Sequence, residues 1–192
     1  MAHGYQIKNQ NALHFLTITT VGWIDIFAYK RYREIIVDSL NFCIANKGLV
    51  VHAWVIMSNH VHLICRAEEP YLLSNLIRDF KSYTAKKILL EVQKNTESRK
   101  DWLEVVMKYH AANNKRNEEF QVWQQDNHPV ELESPLWISQ RLQYIHNNPV
   151  RAGITLLPEE YIYSSAKSYA GMDELVSIEL LDIGPEIGYI HT

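Results

Sequence analysis

Residues 49–57 (LVVHAWVIM) and 60–66 (HVHLICR) are rich in β-branched and aromatic residues, and only Ser58 and Asn59 part them. A two-residue connection between such runs joins antiparallel strands, so this stretch is predicted to be a β-hairpin. The elements on either side of the hairpin select the fold. Residues 13–20 (LHFLTITT) read as a strand. Residues 29–46 read as a helix, with Ile35, Ile36, Leu40, Cys43 and Ile44 at helical spacing and Gly48 as its stop. After the hairpin, residues 71–92 form a second amphipathic helix, with Leu72, Leu76, Phe80, Tyr83 and Ile88 on the apolar stripe and Arg78, Lys81, Lys86 and Lys87 on the wet side. Residues 98–109 read as a shorter helix, and residues 120–125 (FQVWQQ) alternate as a half-buried strand does. Ser134 and Pro135 are an N-cap and first-turn proline for a helix expected to reach Asn147 and stop before Pro149. A last helix is expected over residues 158–169, ended by Gly171. This order predicts an α+β, ferredoxin-like (RRM-like) sandwich: a βαββαβ antiparallel sheet with helices on one face, plus extra C-terminal helices. Such a fold hosts many functions, so function must be argued from particular residues.

Composition narrows the classes. The 192 residues are 47% hydrophobic and 11% aromatic, enough for one domain with a real core. The longest apolar run, residues 49–57, is short and interrupted by His52, so no membrane helix is expected. Residues 1–13 carry no apolar segment of the secretory kind, and a cytoplasmic protein is expected. Cys43 and Cys65 form no C-x-x-C pair and are expected to be reduced and structural. The formal charge of −3 argues against tight, indiscriminate binding of duplex DNA. Its distribution qualifies that: residues 173–192 hold five acids and no Lys or Arg, so 19 basic stand against 17 acidic residues in the rest. The expected division is a folded unit over residues 1–172 and an acidic tail over residues 173–192.

His60 and His62, two apart on a strand, project from one face and can reach one ion. The plain alternative is two satisfied side chains on a wet sheet face, and His52 is either their cross-strand neighbour or another surface position. Two imidazoles with open positions suit Mg²⁺ or Mn²⁺ that must also meet a phosphate oxygen; imidazole equally suits Zn²⁺. An H-E-x-x-H helix and a cysteine-rich zinc set are both missing from the sequence.

On the helix after Pro135, Ile138, Leu142 and Ile145 share a buried face, and Trp137, Arg141, Tyr144 and Asn148 form the neighbouring stripe. Asn148 is either a hard third ligand beside the phenol or a helix C-cap before Pro149. A phenol costs roughly 4 kcal/mol to ionise at pH 7, and a cation beside it offsets that. A metal and a tyrosine together are chemically sufficient to cleave a phosphodiester.

The strings AWVIMSNHVHLI (residues 53–64) and YIHNNPVRAGI (residues 144–154), with IRDFK (77–81) and YIYSSA (161–166), resemble the HUH single-tyrosine transposases, in particular the IS200-like branch associated with repetitive extragenic palindromes. The resemblance covers most of residues 10–172. It implies that His60 and His62 bind a divalent metal, Mg²⁺ or Mn²⁺, that Asn148 stands at the third ligand's place, where some relatives carry Gln, and that Tyr144 attacks single-stranded DNA. The products would be a 5′-phosphotyrosine and a free 3′-hydroxyl, the covalent bond storing the energy for rejoining without ATP. It also implies a DNA hairpin as partner, a possible homodimer, and a DNA-binding role for Arg78, Lys81, Lys86, Lys87, Lys115 and Arg116, in a stretch with ten Lys/Arg against five Asp/Glu. Trp102, Trp123 and Trp137 are candidates to stack on splayed bases, with core packing the alternative. Two rivals remain: a non-catalytic module of the same shape that binds structured nucleic acid, and a metal hydrolase acting on a small phosphoester.

Overall fold

A computed structural model describes residues 6–94, 97–114 and 119–182 of the protein. Its elements run β1 (His14–Thr19), α1 (Lys30–Lys47), β2 (Leu49–Ile56), β3 (His60–Ala67), α2 (Leu73–Val92), α3 (Lys100–Ala112), β4 (Val130–Glu131), α4 (Pro135–Arg151) and α5 (Ala166–Tyr169). The sheet order is β2-β3-β1-β4 with every pair antiparallel, the ferredoxin-like order, in which β3 inserts between β1 and β2. The hairpin forms as expected. Gly48 ends α1 with φ 64°, and a Cβ there would meet the Tyr71 ring at 2.4 Å, so both backbone and packing require glycine.

Register decides which residues share a face. Thr19 stands opposite His60, Thr17 opposite His62 and Phe15 opposite Ile64, with Val55 opposite His62 on the other side. Directly opposed residues lie on one face, so Phe15, Thr17, Thr19, Val55, His60, His62 and Ile64 belong together. Leu16, Ile18, Ile56, Val61 and Leu63, all fully buried, form the other face. There α1 and α2 pack on each other and on β2 and β3, while α4 packs on β2 and β3 from the histidine side. The extra C-terminal helix thus turns a two-layer sandwich into three layers around the site.

Three expectations are corrected. Residues 120–125 make no regular strand; they run beside β1 through a single bridge, Thr20 to Trp123, and through Gln124 N–H to Thr19 O at 2.8 Å. The ladder resumes at Val130 because Pro129 has no N–H to donate and His128 sits at φ 42°. Secondly, α4 does not stop before Pro149 but runs through it to Arg151. The true stop is Gly153 at φ 69°, where Ile154 N–H reaches Pro149 O (2.9 Å) and Gly153 N–H reaches Val150 O (2.9 Å), a Schellman closure. Thirdly, the helix expected over residues 158–169 is a short 3₁₀ turn, Pro158–Glu160, and the one-turn α5. The segment between them is occupied by β2: Ile56 N–H donates to Tyr163 O (3.0 Å) and Ser165 N–H to Trp54 O (2.9 Å).

That pairing covers part of the open edge of β2, which would otherwise present unpaired backbone groups. The acidic tail covers the rest. Val176 is fully buried, Glu179 N–H donates to Val51 O (2.9 Å), and the Glu179 carboxylate meets Arg66 at 3.2 Å. The described part of the tail therefore lies at the far end of β3 from His60. Elsewhere a buried carboxylate, Glu97, accepts from Tyr32 Oη (2.7 Å) and pairs with Arg31 and Arg99, tying α1 to the start of α3. Burial alone would raise its pKa, but the hydrogen bonds from Tyr32, the Arg99 N–H and Arg31 outweigh that and lower it. No helix among the described residues is long and apolar enough to cross a membrane.

Candidate active site

The strand β3 presents His60 and His62 side by side, ring centroids 4.6 Å apart and planes 70° to each other. Each ring is fixed through Nδ1. His60 Nδ1 lies 2.6 Å from Asn59 Oδ1; an amide oxygen only accepts, so Nδ1 carries the proton and Nε2 keeps its lone pair. His62 Nδ1 lies 3.0 Å from Thr17 Oγ1, and its Nε2 is buried with no hydrogen-bond partner. A buried ring nitrogen left unpartnered is unfavourable unless a ligand uses it. Burial lowers the pKa of both rings. For His62 it falls to about 3, through burial first and then the nearby His60 and Arg141, against a backbone hydrogen bond at Leu16. Both are held in the neutral form that ligates metals.

The nucleophile candidate arrives from the opposite layer. Ser134 caps α4, its Oγ accepting from Trp137 N–H at 3.3 Å, and buried Leu142 and Ile145 anchor the helix on the sheet. The neighbouring stripe then falls over the histidines. The Tyr144 ring stands 5.2 Å from the His62 ring at 66° and 6.1 Å from Phe15 at 74°, while Phe15 stacks on His62 at 5.2 Å. Among the described residues no hydrogen bond holds the Tyr144 hydroxyl. Asn148 is half-buried and its Nδ2 donates to Tyr144 O at 3.2 Å, which leaves Oδ1 as a free acceptor on the same stripe. The C-cap position belongs to Ala152. Among the described residues no group of three or more His, Cys, Asp or Glu could hold a metal. A metal at the histidine pair would therefore draw its other donors from an amide, water or phosphodiester.

Not every expected site residue joins this cluster. Lys81 is expected to contact DNA, but its ammonium is committed within the protein, donating to Gln124 O (2.7 Å), Gln125 O (3.1 Å) and Asn127 Oδ1 (2.6 Å). Burial lowers its pKa to about 8, partly offset by Asp126. Arg78, Lys86 and Lys87 are exposed on α2, on the other side of the sheet from Tyr144; Arg78 pairs with Asp79 at 2.9 Å and Lys87 lies over the Tyr83 ring at 5.5 Å. Lys115 and Arg116 lie outside the described residues. Trp123 is a core residue, stacked on Phe27 at 5.6 Å, whereas Trp102 and Trp137 are about half exposed. His52 is neither a surface group nor a neighbour of the pair: it is buried, with Nδ1 2.7 Å from Glu179 O in the tail.

His146, two residues beyond Tyr144, points away from the site. It is fully buried, Nε2 lying 2.8 Å from Ser165 Oγ, and Ser165 Oγ in turn accepts from Trp54 N–H at 2.9 Å. Burial pushes its pKa down to about 3, so it stays neutral when folded. The unfolded chain takes up that proton below about pH 6.5, so stability present at neutral pH is lost as pH falls from about 6.5 towards 3, with a slope of about 1.4 kcal/mol per pH unit for this one group. Urea melts of wild type and His146→Gln across that window should show the variant with the shallower slope.

Thr17, Asn59, Phe15 and Arg151 also belong to the site; Asn59 and Arg151 fall inside the motif strings with no role of their own there, and Thr17 and Phe15 fall in no motif. Thr17 and Phe15 become visible only once the β1–β3 register is known, and Asn59 is seen in sequence only as a turn residue.

The family model for IS200-like transposases matches residues 17–125, more than half of the chain. That match includes His60 and His62 and ends before α4. Among solved structures, the fold is that of the REP-associated tyrosine transposase bound to a REP hairpin, with a TM-score of 0.59 at 16% identity over the whole of both chains. A candidate transposase from Deinococcus radiodurans aligns with a TM-score of 0.45 at 15% identity over 77% of this chain and 95% of that one. No curated protein matches the chain. With a histidine pair on the central strand inside the matched region, the chain belongs to the family of IS200-like transposases.

Proposed function

We propose that this transposase cuts and rejoins single-stranded DNA beside a hairpin, with Tyr144 as the nucleophile. The observation that carries the reading is the 5.2 Å approach of the Tyr144 ring to His62 within one chain. His60, His62 and Tyr144 all come from the same copy, so a homodimer is not needed to complete the set. The REP hairpin seen with the structural relative is consistent with a hairpin substrate here.

His60 and His62 would hold a divalent ion, Mg²⁺ or Mn²⁺, through their Nε2 atoms, with Asn148 Oδ1 as the third protein donor. The buried, unpartnered Nε2 of His62 and the proton held on His60 Nδ1 suit such an ion. When bound, it supplies Lewis-acid polarisation of the scissile phosphodiester. The residues of the chain do the rest. Tyr144 Oη attacks phosphorus in line; the Oη–P bond forms as the P–O3′ bond breaks, the phenolic proton passes to solvent, and the 3′ oxygen leaves as a hydroxyl after taking up a proton. The covalent 5′-phosphotyrosine keeps the bond energy for the reverse attack by a 3′-hydroxyl. The exposed cations Arg78 and Lys86, which with Gln124 and Gln125 line a groove of about 520 Å³, and Lys87 elsewhere on α2 would track the phosphate backbone away from the cut.

The test is incubation with Mn²⁺ and a hairpin oligonucleotide bearing a single-stranded flank, labelled in turn at each end. A 3′ label that migrates with the protein on a denaturing gel, and a 5′ label released on a fragment ending in a 3′-hydroxyl, support the reading. Binding without an adduct would favour the non-catalytic module.

A further inference from the structure

Tyr144 does not stand alone on its helix. Arg141, Tyr144, Asn148 and Arg151 follow at spacings of three, four and three, one continuous stripe of α4. Both arginines lie over aromatic rings of the site. The Arg141 guanidinium lies 4.9 Å from the Phe15 ring centroid, the ring that stacks on His62. The Arg151 guanidinium lies 5.8 Å from the centroid of Tyr144 itself. Among the described residues neither has an ion-pair or hydrogen-bond partner, whereas Arg31, Arg66, Arg78 and Arg99 each pair with a carboxylate. Among the described residues no carboxylate is paired with the cluster: its imidazoles are neutral, and beside them stand Phe15, Thr17, Asn59 and the Asn148 amide. Two guanidiniums set against aromatic rings, Arg141 half-buried and Arg151 exposed, have their hydrogen-bonding forks unused among the described residues; their helix positions are about 15 Å apart along the axis, and such a pair suits oxyanions.

We propose that Arg141 and Arg151 are phosphate subsites flanking the nucleophile, each binding a non-scissile phosphodiester of the single strand so that the phosphate to be cut falls at Tyr144. This rests on the proposed phosphodiester chemistry and deepens it. The helix that carries the nucleophile then also carries the ruler that positions the strand. A purely structural role, in which each guanidinium simply covers an aromatic ring, would leave salt dependence and substrate phosphates unaffected.

The experiment uses Tyr144→Phe protein, which cannot cleave, and a fluorescein-labelled hairpin oligonucleotide with a single-stranded flank. Affinity is followed by anisotropy across salt concentrations. Adding Arg141→Ala or Arg151→Ala should weaken binding about 10- to 100-fold and reduce the slope of log affinity against log salt by about 0.7 per arginine. The Lys variants should restore the slope but only part of the affinity. Methylphosphonates are then placed one at a time along the flank. The one that weakens binding to the parent protein but not to the matching Ala variant identifies the phosphate held by that arginine. Thermal melts of Ala and Lys variants separate loss of binding from loss of fold. Unchanged salt slopes, or methylphosphonate losses that simply add to those of the variants, overturn the subsites. An adduct formed by the Tyr144 protein alongside unchanged slopes leaves the transposase mechanism standing and removes only the clamp; matched losses with no adduct from the Tyr144 protein keep the clamp and remove the nuclease reading.

Discussion

Tyr144→Phe should abolish the covalent protein–DNA adduct completely while leaving hairpin binding within a few-fold of wild type. The change removes one oxygen and nothing else that the fold uses. The ring keeps its edge contacts with His62 and Phe15, and the lost hydroxyl makes no hydrogen bond among the described residues, so the expected stability cost is under about 0.5 kcal/mol. The chemistry loses its proposed nucleophile. Water in its place would give a free 5′-phosphate, not a protein-linked strand, and no stored bond for rejoining. A 3′-labelled strand on a denaturing gel separates the cases: a protein-linked band from the Phe variant would sink the assignment. Loss of both binding and adduct, with an unchanged melt, would mean that the phenol contacts substrate in the ground state as well.

How much of this was legible beforehand follows from what each element depends on. The hairpin, β1, α1 and α2 are local: alternation, helical periodicity and the Ser58–Asn59 and Gly48 stops are written within a few residues of where they act. So is the pairing of His60 with His62, because strand geometry alone puts alternate residues on one face. The misplaced fourth strand is a competition that local pattern cannot judge. Residues 120–125 alternate well, but Lys81 and the Thr84–Trp123 hydrogen bond draw that segment onto α2, and the ladder begins only after Pro129. Pro149 misleads for the same reason: it sits in the last turn of α4, where few hydrogen bonds remain to be lost, and the stop lies with Gly153. Lys81 reads as a wet cation because periodicity cannot reveal the three acceptors that arrive from residues 124–127. The groups that orient the two imidazoles are hidden most deeply. Thr17 is far from His62 in sequence and meets it only through strand register, and Arg151 reaches Tyr144 only because the helix continues past the proline.

The combined variant His60→Ala, His62→Ala should remove Mn²⁺-dependent adduct formation by about 1,000-fold or more, since a bound metal contributes several kcal/mol to stabilising charge on the phosphoryl oxygens. His62 is 4% exposed and fills space beside Phe15 and Thr17, so its truncation also costs packing, expected at about 1–3 kcal/mol. A circular-dichroism melt accounts for that part. The milder variants separate ligation from packing. Asn59→Ala and Thr17→Ala leave both imidazoles in place and remove only the groups 2.6 Å and 3.0 Å from their Nδ1 atoms. Outer partners of this kind fix ring orientation and are worth about 10- to 100-fold in metal affinity. The expected result is therefore a titration shift: Asn59→Ala and Thr17→Ala need about 10- to 100-fold more Mn²⁺ to reach half-maximal adduct, with the plateau preserved, while the double histidine variant reaches no plateau. If the double variant cuts as well as wild type with chelator present, the histidine pair is a packed surface feature and Tyr144 acts without it. If Asn59→Ala and Thr17→Ala lower the plateau without moving the midpoint, those side chains serve the DNA strand and not the metal.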